Sequence, residues 1–300
     1  MGLQEQFMSK EGRIAVRLAA LLSTMRVGER LPAVKQVAAE LEASNGTIQG
    51  ALTQLTDLGA VQLKPRGRLG TFIEALDYPL LWEASGGRSI SIGTPMPYSL
   101  RYEAMASALQ ASFADAGIPL SLMFQRGSTE RARSVMDGHT DFALMSRLAA
   151  ESSELNTIRD FGPNTYVGSH GLIITRGRDR HDPTLRVGVD SKSTDQVTLT
   201  ARYFPDLDDE RLVDVSYHQL AGHFDSGLID ATVWNLDEVS DHLRVPIDIY
   251  PLPEIEGNTN AVLVHHHSNV IPWPVRRAID SPLAMTVFAE VLAGKRPPTY

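Results

Sequence analysis

Polar and aromatic residues in loops of the C-terminal two thirds of the chain are the residues best suited to bind a small ligand. In two of these loops, hydroxyl residues come directly before a predicted helix, and Arg101, Arg126 or Lys192 lies nearby, which would suit a small carboxylate or phosphate. Ser and Thr also cap helices in any protein, so simple capping is the alternative. The predicted ligand-binding residues are Thr94, Tyr98, Ser99, Ser128, Thr129, Ser146, Ser169, His170, Ser191, Ser193, Thr194, Trp234 and Asn235.

Patterns typical of catalysis or metal binding are weak. In His265-His266-His267, only the first and third side chains would share one face of a strand, so a solvated strand end is the simpler interpretation. The sequence has no H-E-x-x-H, Walker or G-x-S-x-G motif, and the absence of cysteine excludes a thiol nucleophile. We therefore predict no catalytic residues, no metal and no cofactor, and a protein that is not an enzyme.

Basic and amide-bearing residues near the N-terminus indicate a second kind of site. Residues 1–73 contain nine Lys and Arg against six Asp and Glu, a net charge of +3, which leaves a net charge of −11 for the rest of the chain. A small basic segment in an acidic chain is typical of a module that contacts phosphates. The predicted DNA-binding residues are Lys35, Ser44, Asn45, Thr47, Gln49, Lys64, Arg66 and Arg68.

Three helices and a hairpin would position these residues. Apolar spacing predicts a helix over 12–25, a second with Pro32 in its first turn, and a third over about 45–58 with Ser44 as its N-cap. Two strands, around 61–63 and 71–73, enclose a basic, glycine-bearing tip at 64–70. This order predicts a winged helix whose third helix enters the major groove.

The remaining chain alternates between strands and helices after a predicted linker at 77–88. The predicted strands are 89–94, 120–124, 141–145, 185–189, 212–215 and 231–234, and the predicted helices are 99–116, 128–137, 193–203 and 217–226. Such alternation favours a mostly parallel sheet with helices on both faces. The two halves repeat a helix followed by Gly, Asp and a strand, with 171–174 and 261–264 as crossing strands.

Several motifs resemble known families. The segment LPAVKQVAAELEASNGTIQGALTQLTDLGAVQLKPRGRLGTFI is similar to the DNA-binding domain of the GntR family, although Asn45 and Gln49 stand where that family usually has arginines. The double G-x-x-D arrangement is similar to type II periplasmic-binding-protein folds over residues 88–296. Together the two modules resemble the YhfZ type of GntR-like regulator. The resemblance implies an α/β fold class: a winged helix-turn-helix plus a two-lobed domain with the ligand between its lobes.

These observations predict domains at 1–76 and 89–300 and a DNA-binding transcriptional regulator controlled by a small-molecule effector. The expected partners are a double-stranded DNA operator, an effector of anionic character and a second copy of the chain in a homodimer. Neither a secretion signal nor a membrane span is evident, which favours the cytoplasm. The alternatives are a small-molecule binding protein whose winged helix is a protein-interaction module, and an enzyme.

Overall fold

The computed structural model describes residues 8–237, 244–253 and 257–300, apart from the side chain of His218. Two compact units are present. The first combines Met1–Ile90 with Ser112–Leu120 and Val270–Ser281, and the second comprises Ser91–Ala111, Ser121–Asn269 and Pro282–Tyr300. The predicted domain boundaries differ from these units and stay a prediction.

Helices and strands follow the predicted order through most of the chain. The described helices are α1 (Lys10–Ser23), α2 (Val34–Glu40), α3 (Asn45–Asp57), α4 (Tyr78–Ala84), α5 (Leu100–Asp115), α6 (Ser128–Met136), α7 (Arg147–Glu151), α8 (Thr194–Tyr203), α9 (Leu220–Asp225), α10 (Trp273–Ile279) and α11 (Leu283–Leu292). The described strands are β1 (Val61–Pro65), β2 (Thr71–Leu76), β3 (Ile90–Thr94), β4 (Leu120–Phe124), β5 (Phe142–Ser146), β6 (Asn156–Asp160), β7 (His170–Thr175), β8 (Val187–Val189), β9 (Leu212–Asp214), β10 (Ala231–Asn235), β11 (Ile247–Pro251) and β12 (Ala261–His265).

The first unit contains the winged helix. Leu18, Leu22 and Ile48 form the centre of a continuous apolar core, because the apolar stripes of α1 and α3 face each other. Strands β1 and β2 pair as an antiparallel hairpin, with a 3-10 turn at Gly67–Leu69 in its tip. One detail of the prediction is wrong: α2 begins at Val34, and Pro32 precedes it, because Ala33 adopts the extended N-cap conformation.

The predicted linker at 77–88 instead contains helix α4. Asp77 caps this helix by accepting a hydrogen bond from the backbone N–H of Leu80, and Pro79 occupies its first turn. Leu81 is fully buried in the core of the winged helix. The apolar residues Leu80, Leu81 and Trp82 of the predicted linker therefore form part of the first unit.

The second unit consists of two lobes, each built on a five-stranded sheet. Lobe I has the order β4-β3-β5-β12-β6, and lobe II has the order β11-β7-β10-β8-β9. The predicted crossing strands are both present: β12 joins the sheet of lobe I, although most strands of that lobe come from earlier in the chain, and β7 joins the sheet of lobe II. The chain therefore passes between the lobes more than once.

Three predictions for this unit are corrected. The sheets are mixed rather than mostly parallel, because β12 is antiparallel to β5 and β6, and β7 is antiparallel to β10 and β11. The predicted helix at 217–226 divides into a 3-10 turn at Tyr217–Gln219 and the short helix α9. The strand predicted from residue 185 begins at Val187, where its pairing with β9 and β10 starts.

Candidate functional site

The N-terminus of α3 begins a polar, exposed surface. The Ser44 hydroxyl accepts a hydrogen bond from the backbone N–H of Thr47 at 3.1 Å, which makes Ser44 the N-cap, as predicted. Ile48 is buried, whereas Asn45 and Gln49 are exposed. The exposed residues carry amides without net charge, so this face of α3 can donate to and accept from base edges.

The cations of the predicted wing differ in their surroundings. Lys64 forms an ion pair with Glu74 at 2.8 Å, and the guanidinium of Arg66 lies over the ring of Phe72 at 4.7 Å. Arg68 is exposed, and within the described chain no ion pair or ring contact holds it. Lys35 is exposed on α2. Arg68 is therefore the wing cation best able to reach a phosphate.

Gly70 connects the wing to a further cation that the sequence analysis missed. Its φ is +95°, and a Cβ atom built there would lie 2.7 Å from Nε of Arg30. Arg30 forms an isolated β-bridge with Phe72, which places its side chain beside the wing. The positive φ requires the glycine, whereas the guanidinium of Arg30 is the end of a flexible side chain and could move aside for a Cβ atom.

A cavity of about 40 Å³ lies between the lobes of the second unit. Part of the predicted ligand site lines it, namely Tyr98, Ser128, His170, Ser193, Trp234 and Asn235. The other lining residues, which were not predicted, are Pro95, Tyr102, Gly127, Arg131, Tyr166, Val167, Asp195, Gln196, Tyr217 and Val233. Many of these residues follow the carboxyl ends of strands, as expected for a ligand cleft in an α/β fold.

The other predicted ligand residues do not line this cavity. They are Thr94, Ser99, Thr129, Ser146, Ser169, Ser191 and Thr194. Ser146 and Ser99 act as helix caps, because their hydroxyls accept from the backbone N–H groups of Ala149 and Tyr102, respectively. The capping alternative therefore describes these two residues.

The cations expected near the ligand are all paired with carboxylates of the protein. Arg101 pairs with Asp237 at 3.2 Å, and Lys192 pairs with Glu130 at 3.3 Å. Arg126 donates two hydrogen bonds of 2.9 Å to Asp190. Carboxylates of the protein already compensate their charges, so a role for these cations in binding a small carboxylate or phosphate stays a prediction.

Arg131 is the cavity cation that the sequence analysis missed. It is 2% exposed, and it donates to the carbonyl oxygens of Leu144 and Gln125 and to the hydroxyl of Tyr166, at 2.8 to 3.0 Å. In the described part of the chain, no carboxylate forms an ion pair with it. Arg131 lies three residues after Ser128 and four before Val135, so the three share the buried face of α6. An arginine at this helical spacing is the sequence signal that could have identified it.

Asp195 and His170 are the titratable groups of the cavity with shifted pKa values. Burial raises the pKa of Asp195 to about 6, although a hydrogen bond from Ser146 at 2.6 Å and the charge of Arg131 lower it. Burial lowers the pKa of His170 to about 4, so its imidazole is neutral at neutral pH. Asp195 is therefore mostly ionised at neutral pH, whereas His170 contributes only hydrogen bonds.

The aromatic rings of four tyrosines and a tryptophan line part of the cleft. The ring of Tyr98, from lobe I, lies 4.4 Å from that of Tyr217 and 6.3 Å from that of Trp234, both from lobe II. Burial raises the pKa of Tyr98 and Tyr102 well above the usual value, so both hydroxyls stay protonated. These rings offer an apolar wall to a ligand and no base.

The two lobes are joined directly beside the cavity. Polar bonds cross between them from Arg126 to Asp190, from Ser128 to Thr194 at 3.0 Å, and from Ser146 to Asp195. The backbone N–H of Thr129 donates to the carbonyl of Lys192 at 3.2 Å. The structure therefore shows the lobes in a closed arrangement.

Among the described residues, no three or more His, Asp or Glu side chains lie close enough together to hold a metal ion. The same residues contain no helix of the length and apolar character that a membrane span requires.

Comparisons with known proteins agree with this architecture. A family model described as the YhfZ C-terminal domain matches residues 77–300, and a helix-turn-helix domain model matches residues 26–73. YhfZ of Escherichia coli (strain K12) is 32% identical over 309 aligned residues, which cover 99% of this chain and 100% of that protein.

Solved structures extend the comparison to the fold. The crystal structure of YhfZ from Shigella flexneri matches with a TM-score of 0.57 and 32% identity, covering 71% of this chain and 93% of that one. The VFT2 domain of Bordetella pertussis BvgS matches with a TM-score of 0.52 and 16% identity, covering 73% of this chain and 97% of that one.

The fold and the comparisons define a class of protein: a helix-turn-helix domain joined to a two-lobed domain of the periplasmic-binding-protein type. This is the architecture of a DNA-binding regulator with a ligand-binding domain. Within that class, the chain belongs to the YhfZ family.

Proposed function

We propose that this protein is a DNA-binding transcriptional regulator whose activity is controlled by a small-molecule effector bound between the two lobes. The observation that carries the proposal is the presence, in one chain, of an exposed helix-turn-helix surface and a closed cleft lined by the buried cation Arg131. DNA binding and ligand binding have separate sites in such a chain, as regulation requires.

The DNA-binding role rests on the exposed side chains of α3 and the wing. Asn45 and Gln49 read base edges in the major groove, and their amides favour adenine, to which Asn and Gln can form two hydrogen bonds. Arg66 and Arg68 contact phosphates or the minor groove, with Lys35 and Lys64 adding positive charge. Ser44 and Thr47 fix the start of the helix against the DNA. The domain is of the GntR-like type.

The effector role rests on the cleft. A ligand that contacts both lobes stabilises their closed arrangement, because it gains contacts that the open arrangement lacks. Its anionic group faces Arg131, since this guanidinium has unused N–H donors and Arg101, Arg126 and Lys192 are already paired. Tyr98, Ser128, His170, Ser193, Trp234 and Asn235 complete the contacts.

The regulator acts as a homodimer in the cytoplasm and reads a near-palindromic operator. Two recognition helices of a dimer can enter successive major grooves on one side of the duplex, which doubles the contacts available to one small domain. Neither the effector domain nor the wing needs a catalytic residue for this function, and we propose that the protein is not an enzyme.

Fluorescence anisotropy with duplex DNA from upstream of the coding region tests the proposal. We expect saturable binding that weakens as salt rises, and that weakens further in the double variant Arg66→Ala/Arg68→Ala. The control is the double variant Arg202→Ala/Arg296→Ala, which removes the same charge from exposed positions of the second unit. An equal loss of DNA affinity in both double variants would show that binding depends on the net charge of the protein and not on the wing.

The competing function is that of a small-molecule binding protein whose winged helix contacts another protein. The pairing of Lys64 with Glu74 favours it, since that ion pair reduces the charge offered to phosphates. Absence of binding to the upstream DNA and to a pool of genomic fragments would support this alternative. The wing double variant would then have no effect on any DNA affinity.

A further inference from the structure

The cleft contains two buried charges of opposite sign that do not pair with each other. Arg131 belongs to lobe I and is 2% exposed, whereas Asp195 belongs to lobe II and is 7% exposed. Both line the same cavity. Within the described residues, neither takes part in an ion pair at 4.0 Å or less.

The bonds that these two side chains make go to neutral groups. Arg131 uses three of its five N–H donors on two carbonyl oxygens and a hydroxyl, and two donors are left. One carboxylate oxygen of Asp195 accepts from the Ser146 hydroxyl. Buried charges without an opposite charge in contact are unfavourable, so both groups gain from a ligand that supplies one.

The signs of the two charges define the ligand. A simple anion would compensate Arg131 but would bring a second negative charge close to Asp195. A simple cation would compensate Asp195 but would bring a second positive charge close to Arg131. A molecule with both charges a few bonds apart compensates both groups at once. The cavity volume of about 40 Å³ is enough for roughly three water molecules at about 10 to 15 Å³ each, so the molecule is small.

We propose that the cleft binds a small zwitterion of the α-amino-acid type, with its carboxylate at Arg131 and its ammonium at Asp195. This inference rests on the effector function proposed above and names the chemical class of the effector. Because the carboxylate contacts lobe I and the ammonium contacts lobe II, the zwitterion joins the lobes through its two ends. The ring of Tyr98 moves away from Tyr217 to admit any side group larger than a hydrogen atom.

The test uses isothermal titration calorimetry and thermal unfolding of the full chain with glycine and the other protein L-α-amino acids. Every compound that binds is compared with the carboxylic acid that lacks its amino group and the amine that lacks its carboxylate. We expect each analogue to bind at least about tenfold more weakly, because one buried charge then loses its partner. A carboxylic acid that binds as tightly as its amino acid overturns the proposal, as does a panel without a binder.

Asp195→Asn locates the ammonium site. The variant keeps the shape of the side chain, and we expect it to bind the amino acid about tenfold more weakly. It should bind the deaminated acid more tightly than the wild type does, because the repulsion between the acid and the Asp195 carboxylate is removed. Asp225→Asn removes an exposed carboxylate from α9 and is the control. Equal affinity of the wild type and Asp195→Asn for the amino acid overturns the assignment of the ammonium. If a variant does not fold, the comparison of the amino acid with its two analogues on the wild-type protein still tests the proposal.

The same preparation is assayed for DNA binding, so that two kinds of failure can be distinguished. DNA binding without a binder in the panel overturns the zwitterion and leaves the regulator intact. Binding of an amino acid without any DNA binding overturns the regulator and leaves the ligand class intact.

Discussion

The exposed surface of α3 and the wing differs from the interlobe cleft in how its side chains are positioned and buried. Asn45, Gln49 and Arg68 are exposed, and their backbone positions depend on one helix and one hairpin. Arg131 and Asp195 are buried, and their surroundings come from segments far apart in the chain. Substitutions on the exposed surface should therefore change binding without changing stability, whereas substitutions in the cleft should change both.

The largest expected effect contrasts two Arg–Asp pairs in the second unit. Arg126→Met leaves the fully buried Asp190 without its cation, and we expect a loss of about 4 kcal/mol in unfolding free energy. Arg186→Met breaks the partly exposed pair with Asp230 within lobe II, and we expect a loss of at most about 1 kcal/mol. Urea denaturation of both variants measures the difference, and equal losses would contradict the contrast.

The second prediction concerns pH and Asp195. Its pKa is about 6 in the native state and 3.8 as the ordinary value, so the native state binds the proton more tightly and the wild type loses stability as pH rises from about 4 to 6. Asp195→Asn lacks this loss, and it should be more stable than the wild type by roughly 3 kcal/mol at pH 7 and equal to it near pH 4.

The effect of His170 on the unfolding free energy changes with pH in the opposite direction. Its pKa is lowered from 6.5 to about 4, so the wild type gains stability as pH rises through this interval, and His170→Gln should lack the gain. Thermal unfolding at several pH values checks both variants. A stability difference between Asp195→Asn and the wild type that does not vary with pH would contradict the assignment.

The third prediction compares two glycines with positive φ. A Cβ atom at Gly127 would collide with the carbonyl oxygen of Lys192 in the other lobe, whereas one at Gly138 would meet nothing within 4 Å. Both alanine variants carry backbone strain from a positive φ, and the strain is larger at Gly127, whose φ of 78° and ψ of 143° are adopted almost only by glycine. Gly127→Ala should cost about 2 kcal/mol more and should prevent the lobes from closing, measured by urea denaturation and small-angle scattering. Equal unfolding free energies and equal scattering of the two variants would show that lobe closure does not need the close approach of Gly127 to Lys192.

The smallest effect belongs to the exposed surface. Arg68→Ala should weaken DNA binding by roughly tenfold at 0.1 M salt and reduce the salt slope by about one, with no change in thermal stability. Glu74→Gln should strengthen binding, because it frees Lys64 from its ion pair. Anisotropy titrations at several salt concentrations measure both variants. A change in unfolding temperature on Arg68→Ala would remove the distinction between the two regions.

Much of this architecture could be predicted from the sequence because its signals are local. The apolar spacing of α1 and α3, the N-cap at Ser44 and the glycine-bearing wing each depend on a few consecutive residues. The strand at 120–124 and most others were placed within a residue or two for the same reason. Helix α4 was not predicted, because the residues that bury Leu81 are distant in sequence.

The sequence by itself determined the winged-helix elements and the alternation of strands and helices in most of the second unit, because these depend on local spacing of apolar residues. Only the tertiary structure decided which charges are compensated. Arg101, Arg126, Lys192 and Arg131 look alike in sequence, yet the first three have carboxylate partners and the fourth is buried among neutral groups. The pairing of charges depends on distances of a few ångströms between residues far apart in the chain, and burial then determines its energy.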